Sequence, residues 1–117
     1  MIDLETFKSL AAVELENFKP KPTSLEGDQQ EAATTLWQSP DGRLEVGVWE
    51  CTPGRFTADR STSTEICHFI SGVVEMTDAE GQKRKLGAGD LLVLPRGWKG
   101  EWCIIERTRK LYLIQSD

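Results

Sequence analysis

From Leu36 onward, short runs with a period of two alternate with clusters of turn residues about every eight to twelve positions, the pattern of an all-β sandwich or barrel. After the Asp41-Gly42 turn, RLEVGVWE sets Leu44, Val46 and Val48 on one face and Glu45, Gly47 and Trp49 on the other. CTPGRF breaks that strand, TEICHFI leads through Ser71-Gly72 into VVEMT, Asp78 to Gly81 makes a hairpin turn, and QKRKL is the polar return. GAGD, LLVLP, the turn RGWKG, EWCIIE and KLYLI follow. About eight strands in roughly 80 residues leave no room for crossover helices, so the pattern predicts a single antiparallel barrel or jelly roll.

The N-terminal third reads differently. Asp3 to Leu10 fit a short helix with Asp3 as N-cap, Glu5 in the first turn, and Leu4 and Phe7 on one face. Pro20 and Pro22 stop it, and the polar, turn-rich stretch PKPTSLEGDQQEAATT predicts an arm laid over the surface, outside the core. The chain thus divides into an N-terminal helix and arm over residues 1–35 and a barrel over residues 36–117.

Composition narrows the function. A chain of 117 residues suits one domain. No run approaches the roughly 20 apolar residues of a membrane span, and MIDLETFKSL is acidic where a signal peptide is basic, so the expected location is the cytoplasm. A net charge of -5 argues against nucleic acid and against an anionic membrane as partners. Cys51, Cys67 and Cys103 are odd in number and widely spaced in apolar surroundings, which predicts buried, reduced thiols and no CxxC unit.

Glu65 is followed after six residues by Gly72, and Gly89 is followed by Pro95 and Gly97. These spacings resemble the two signature motifs of the cupin superfamily, whose small barrels hold a ligand or metal at the centre. GVWECTPGRF at Gly47 to Phe56, the DAEG turn, GAGDLLVLPRGWKGEW at Gly87 to Trp102, and Arg109-Lys110 extend the resemblance. They point to the small branch that includes (S)-ureidoglycine aminohydrolase domains and ethanolamine-utilisation cupins. The resemblance implies a cupin double-stranded β-helix, a small antiparallel jelly-roll barrel, with a short N-terminal helix or arm. It also shows a departure: metal-binding cupins carry two histidines shortly before the Glu and a third after the PxG turn. Here those regions read Ala58, Asp59, Arg60, Ser61 and Gly100. A lone Glu65 is too few ligands for a transition metal, so no metal and no other cofactor is expected.

If Glu65 points inward as its family counterpart does, Cys67 and Phe69 join it, while Ile66, His68 and Ile70 face out. His68, the single histidine, then lies outside the site. A strand beginning at Gly100 turns Trp102 and Ile104 inward, and Lys110, Tyr112 and Ile114 share a face of the last strand. Trp49 and Trp98 are further wall candidates, Trp98 better suited to packing because it follows a turn. Glu65 is the candidate catalytic acid/base, its pKa raised by burial, or an amine anchor; the structural alternative is an ion pair with Arg60 or Lys110. Arg60 is an anion anchor, and Trp49, Cys67, Trp102, Lys110 and Tyr112 complete the expected ligand site. The leading function is a small-molecule-binding cupin, extending to a metal-independent enzyme acting on a small amine, amide or carboxylic acid. The alternatives are a non-catalytic ligand-binding or regulatory module and a structural subunit of an assembly. Outward-facing Ile66 and Ile70 predict a homodimer.

Overall fold

Two long strands organise the molecule. In the computed structural model, which describes residues 2–117, the strands in chain order are β1 (Lys19–Pro20), β2 (Ser24–Glu26), β3 (Gln30–Gln38), β4 (Leu44–Cys51), β5 (Gly54–Asp59), β6 (Ser63–Asp78), β7 (Lys83–Gly87), β8 (Leu91–Leu94) and β9 (Lys99–Ser116). All their pairings are antiparallel. The first half of β6 pairs with the last part of β9, Glu65 opposite Ile114 and Phe69 opposite Lys110. Its second half pairs with the start of β9, Val74 opposite Ile104 and Met76 opposite Trp102. The register shifts between Phe69 and Val74, and there both strands bend from one sheet into the other. Gly72 makes the bend possible: its φ is 100°, and a Cβ would sit 2.3 Å from Thr108 Oγ1 and 2.6 Å from the Arg107 carbonyl oxygen.

The first sheet runs β1-β3-β4-β9-β6-β8 and the second β2-β5-β9-β6-β7, so β9 and β6 belong to both. Aromatic side chains meet where the sheets face each other. Trp49 of the first sheet lies 6.1 Å from Phe56 and 6.0 Å from Trp102 of the second, and Phe69 lies 6.1 Å from Trp102, ring centre to ring centre. Each such side chain, taken fully from water, contributes roughly 1.5–3 kcal/mol. The architecture is the antiparallel jelly roll that the strand pattern predicts.

The N-terminal third departs from its expected form. No helix spans Asp3 to Leu10; a single 3₁₀ turn at Leu10–Ala12 stands near its end. Leu4 and Phe7 are exposed, and eight residues without a packed face are too short to hold a helix. The turn is tied down by Arg109, whose Nη1 donates to the carbonyls of Leu10 and Val13 at 2.9 and 2.7 Å.

The stretch expected as a surface arm is part of the sheets. Residues 30–35 form most of β3, so the boundary placed after residue 35 falls within a strand. β1 pairs with β3, Lys19 opposite Glu31, and β2 pairs with β5, Ser24 opposite Phe56. Lys21, Pro22 and Thr23 therefore cross from the edge of one sheet to the edge of the other, a strap that closes one side of the barrel. The turn after it is pinned by Gln29, which is buried and accepts a hydrogen bond from Ser24 Oγ at 2.8 Å. Cys51 and Cys67 are buried as expected, whereas Cys103 is only half-buried. No helix among the described residues is long and apolar enough to cross a membrane.

Candidate functional site

Register places the site. On the inner face of the first sheet, β4, β9 and β6 contribute three rows: Trp49–Lys110–Phe69, Gly47–Tyr112–Cys67 and Glu45–Ile114–Glu65. A cavity of about 450 Å³ opens against this face. Phe56, Ala58 and Trp102 wall it from the second sheet, Arg60 from the loop after β5, and Lys21 and Thr23 from the strap.

Its deepest feature is an ion pair. Lys110 Nζ donates to Glu65 Oε2 at 2.8 Å, with both residues buried. The ammonium also lies 4.4 Å from the Trp49 ring centre and 4.1 Å from that of Trp102, a cation-π arrangement on two indoles. Burial by itself would raise the Glu65 pKa, but the Lys110 ammonium, its hydrogen bond and the Arg60 guanidinium outweigh it and hold the carboxyl below the usual range. Burial likewise works against the charged Lys110, and Glu65 reverses it, so Lys110 titrates above an ordinary lysine. The pair is ionic at neutral pH, and the expected upward shift of Glu65 is reversed in sign. The reason is the partner, whose field burial strengthens.

Arg60 completes a triad. Its Nε stands 3.9 Å from Glu65 Oε1, beyond hydrogen-bond reach, and its Nη1 donates to Ser63 Oγ at 3.2 Å. Nε is buried without a hydrogen-bond partner, the one such side-chain atom found among the described residues. The loop itself is fixed, because the Arg60 N–H donates to the Trp98 carbonyl at 2.8 Å and its own carbonyl accepts from Gly97 N–H at 2.8 Å.

A second polar group faces the same cavity. Tyr112 Oη donates to Glu45 Oε2 at 2.7 Å, and Thr35 Oγ1 donates to the same oxygen at 2.8 Å. Gly47 leaves room for that tyrosine, since a Cβ there would lie 2.4 Å from its Oη. Burial, with the bond to Glu45, drives the Tyr112 pKa upward. On the strap side, Glu31, which borders a neighbouring groove, accepts through Oε1 from Lys21 Nζ at 3.0 Å and from Trp49 Nε1 at 2.9 Å, and Lys21 Nζ sits 4.3 Å from the Phe56 ring centre.

Glu65, Arg60, Trp49, Trp102, Lys110 and Tyr112 thus converge on one cavity. Cys67 does not line it: the thiol is fully buried beside Glu65 and Lys110, and burial pushes its pKa up to about 12. Trp98 packs against the core and borders a separate groove with Met76 and Leu94. His68 is on the exposed outer face. Sequence reasoning missed Glu45, although parity had put it beside Trp49. It also missed Lys21, Thr23 and Phe56, two of which lie in the segment read as a surface arm.

The donor set does not fit a divalent metal. Among the described residues no three His, Cys, Asp or Glu side chains converge. The family's Glu is already bonded to an ammonium, and an arginine stands where the resemblance places ligands.

Residues 38–112 match the EutQ-like cupin domain. Solved structures share the fold. The Clostridium difficile EutQ protein aligns at TM-score 0.66 with 21% identity, over 75% of this chain and 64% of that one. A protein of unknown function of the DUF861 family, from Pseudomonas syringae, aligns at TM-score 0.77 with 19% identity, over 92% of this chain and 46% of that one. KdgF from Halomonas sp. aligns at TM-score 0.65 with 16% identity, over 87% and 89%. This chain spans less than two thirds of the first two proteins, and at these identities the likeness concerns the fold alone. Among curated proteins no relative matches by sequence. With the domain match covering most of the barrel and the jelly roll in agreement, the chain belongs to the EutQ-like cupin family.

Proposed function

We propose that this cupin binds a small organic carboxylate in its barrel mouth, with Arg60 as the anchor. The carrying observation is the Arg60 guanidinium, which lines the cavity, makes one hydrogen bond, to Ser63 Oγ, and stands 3.9 Å from the near oxygen of Glu65 without bonding it. A carboxylate accepting from the remaining N–H groups of the guanidinium fork uses donors that the protein leaves unpaired.

Two observations favour an anion over an amine. Trp49, Trp102 and Phe56 offer the ring faces that would receive a ligand ammonium, and Lys110 and Lys21 already lie over them. Glu65, the candidate amine anchor, is satisfied by Lys110. The shifts at Glu65, Lys110 and Tyr112 all run away from neutrality, which supports binding over proton transfer by Glu65. In this reading Glu65 positions Lys110 and Arg60 and does not act as acid or base.

The test is calorimetric titration of propionate into the wild type and into Arg60→Gln. The expected result is at least a tenfold loss of affinity in a variant whose circular dichroism shows that it remains folded. Equal affinity in both proteins removes Arg60 as the anchor. Turnover of an amine or amide by the wild type, with a pH profile that follows one carboxyl group, would instead support the acid/base reading.

A further inference from the structure

Lys21 is held for contact with the cavity. Its backbone is fixed on both sides: its N–H donates to the Gln29 carbonyl at 3.1 Å, and its carbonyl accepts from Ser24 N–H at 3.2 Å. Pro22 stiffens the next step and Thr57 N–H donates to the Thr23 carbonyl at 3.2 Å, so the strap is anchored where it crosses between the sheets. The side chain is only 15% exposed and borders the cavity. Lys21 Nζ lies 6.0 Å and Lys110 Nζ 4.4 Å from the same Trp49 ring centre, so the two ammoniums stand within about 10 Å of each other.

Each ammonium has three donors, and a single carboxylate bond is made by each, to Glu31 and to Glu65. Lys110 is sealed between indoles; Lys21 is at the mouth. Donors are therefore in surplus at two places on the wall, the Arg60 loop and the strap. We infer that Lys21 is a second ligand contact that determines specificity, reading a second carboxylate while Arg60 holds the first. The inference rests on the carboxylate reading above and narrows its ligand to a small dicarboxylate. Lys21 lies outside residues 38–112, so this selectivity comes from the chain's own strap and not from the segment matched to the family.

Succinate, propionate and β-alanine share one carboxylate on a two-carbon stem and differ only in the second head: carboxylate, hydrogen or ammonium. Calorimetry should show succinate binding at least tenfold tighter than the other two in the wild type. Lys21→Met should weaken succinate far more than propionate, bringing the two within about twofold, and Lys21→Arg should restore the preference. Because Trp49 Nε1–H donates to the Glu31 oxygen that also holds Lys21, its indole NMR signal should move further with succinate than with propionate. A wild type that prefers β-alanine overturns the inference and assigns the second head to Glu45. Equal weakening of all three ligands by Lys21→Met also overturns it, leaving Lys21 a structural role. If Lys21→Met does not fold, the wild-type order alone decides. Binding of none of the three overturns the carboxylate reading itself, whereas propionate bound as tightly as succinate overturns only the role of Lys21.

Discussion

The inner faces of the two sheets are cut from the same two strands, yet their chemistry is opposite. Where β6 and β9 run through the second sheet, they and β5 turn Phe56, Val74, Met76, Trp102 and Ile104 inward, all buried and apolar. Where they run through the first sheet, they and β4 turn in Glu45, Glu65, Lys110 and Tyr112 with Trp49 and Phe69. The apolar face stabilises the fold in proportion to the area it removes from water, roughly 25 cal/mol per Å². The charged face is tolerated because its groups are paired, and its ammonium rests on a ring supplied by the other face. The fold is thus supported by one face and carries its chemistry on the other.

The sharpest way to break this contrast is Glu65→Gln. It strands a buried ammonium, and the expected cost is about 3–5 kcal/mol, seen as a drop in melting temperature of many degrees. The combined variant Glu65→Leu with Lys110→Met turns the charged row into an apolar one. It should recover most of that loss, within about 1–2 kcal/mol of the wild type, while removing succinate binding. Gly47→Ala drives a methyl into the Tyr112 ring and hydroxyl and should cost about 1–3 kcal/mol in denaturant unfolding, with loss of the Tyr112–Glu45 bond.

Smaller effects come from pH and from the outer face. The depressed Glu65 pKa gives stability that is present above the ordinary carboxylate value of 4.5 and lost as pH falls through the folded value. The raised Lys110 pKa gives stability present below 10.5 and lost only as pH rises through its own folded value. Melting curves should therefore decline below about pH 4.5 in the wild type and less steeply in the combined apolar variant. His68→Gln, on the exposed outer face, should change stability by less than about 0.5 kcal/mol and leave ligand affinity unaltered. A large effect there would shift the site to the wrong side of the sheet.

What the sequence makes legible follows from the period of two. Once Glu65 is set inward, parity on its strand places Cys67 and Phe69 inside and His68 outside, a strand starting at Gly100 turns Trp102 inward, and Lys110 and Tyr112 fall on one shared face. Ser71-Gly72 reads as a break between strands because glycine marks turns and bulges alike, whereas here β6 bends and continues. The strap carries no hydrophobic alternation; it is held by backbone pairing and by Gln29, which composition scores as loop. The helix over Asp3 to Leu10 satisfies capping rules but has no surface to pack on, and local preference alone is too weak. The ion pair of Glu65 with Lys110 is the structural alternative that the sequence offers, and the sign of the Glu65 shift follows from it because the buried ammonium outweighs desolvation.

The strap has one more consequence, for how the barrel's rims meet other chains. An open strand edge is a template on which further strands add, the route to polymerisation and amyloid. β1 and β2 cap the outer edges of β3 and β5 at two residues each, Gln30–Glu31 and Arg55–Phe56, and β1 is itself Lys19-Pro20, a charge and a residue with no N–H to donate. The other two rims protect themselves: β7 displays Lys83, Arg84 and Lys85, and β8 is only four residues long. Proteolytic loss of the residues before Gly27 would therefore lengthen two open edges at once, and the same short segment that shapes the cavity shortens the edges on which a further strand could add.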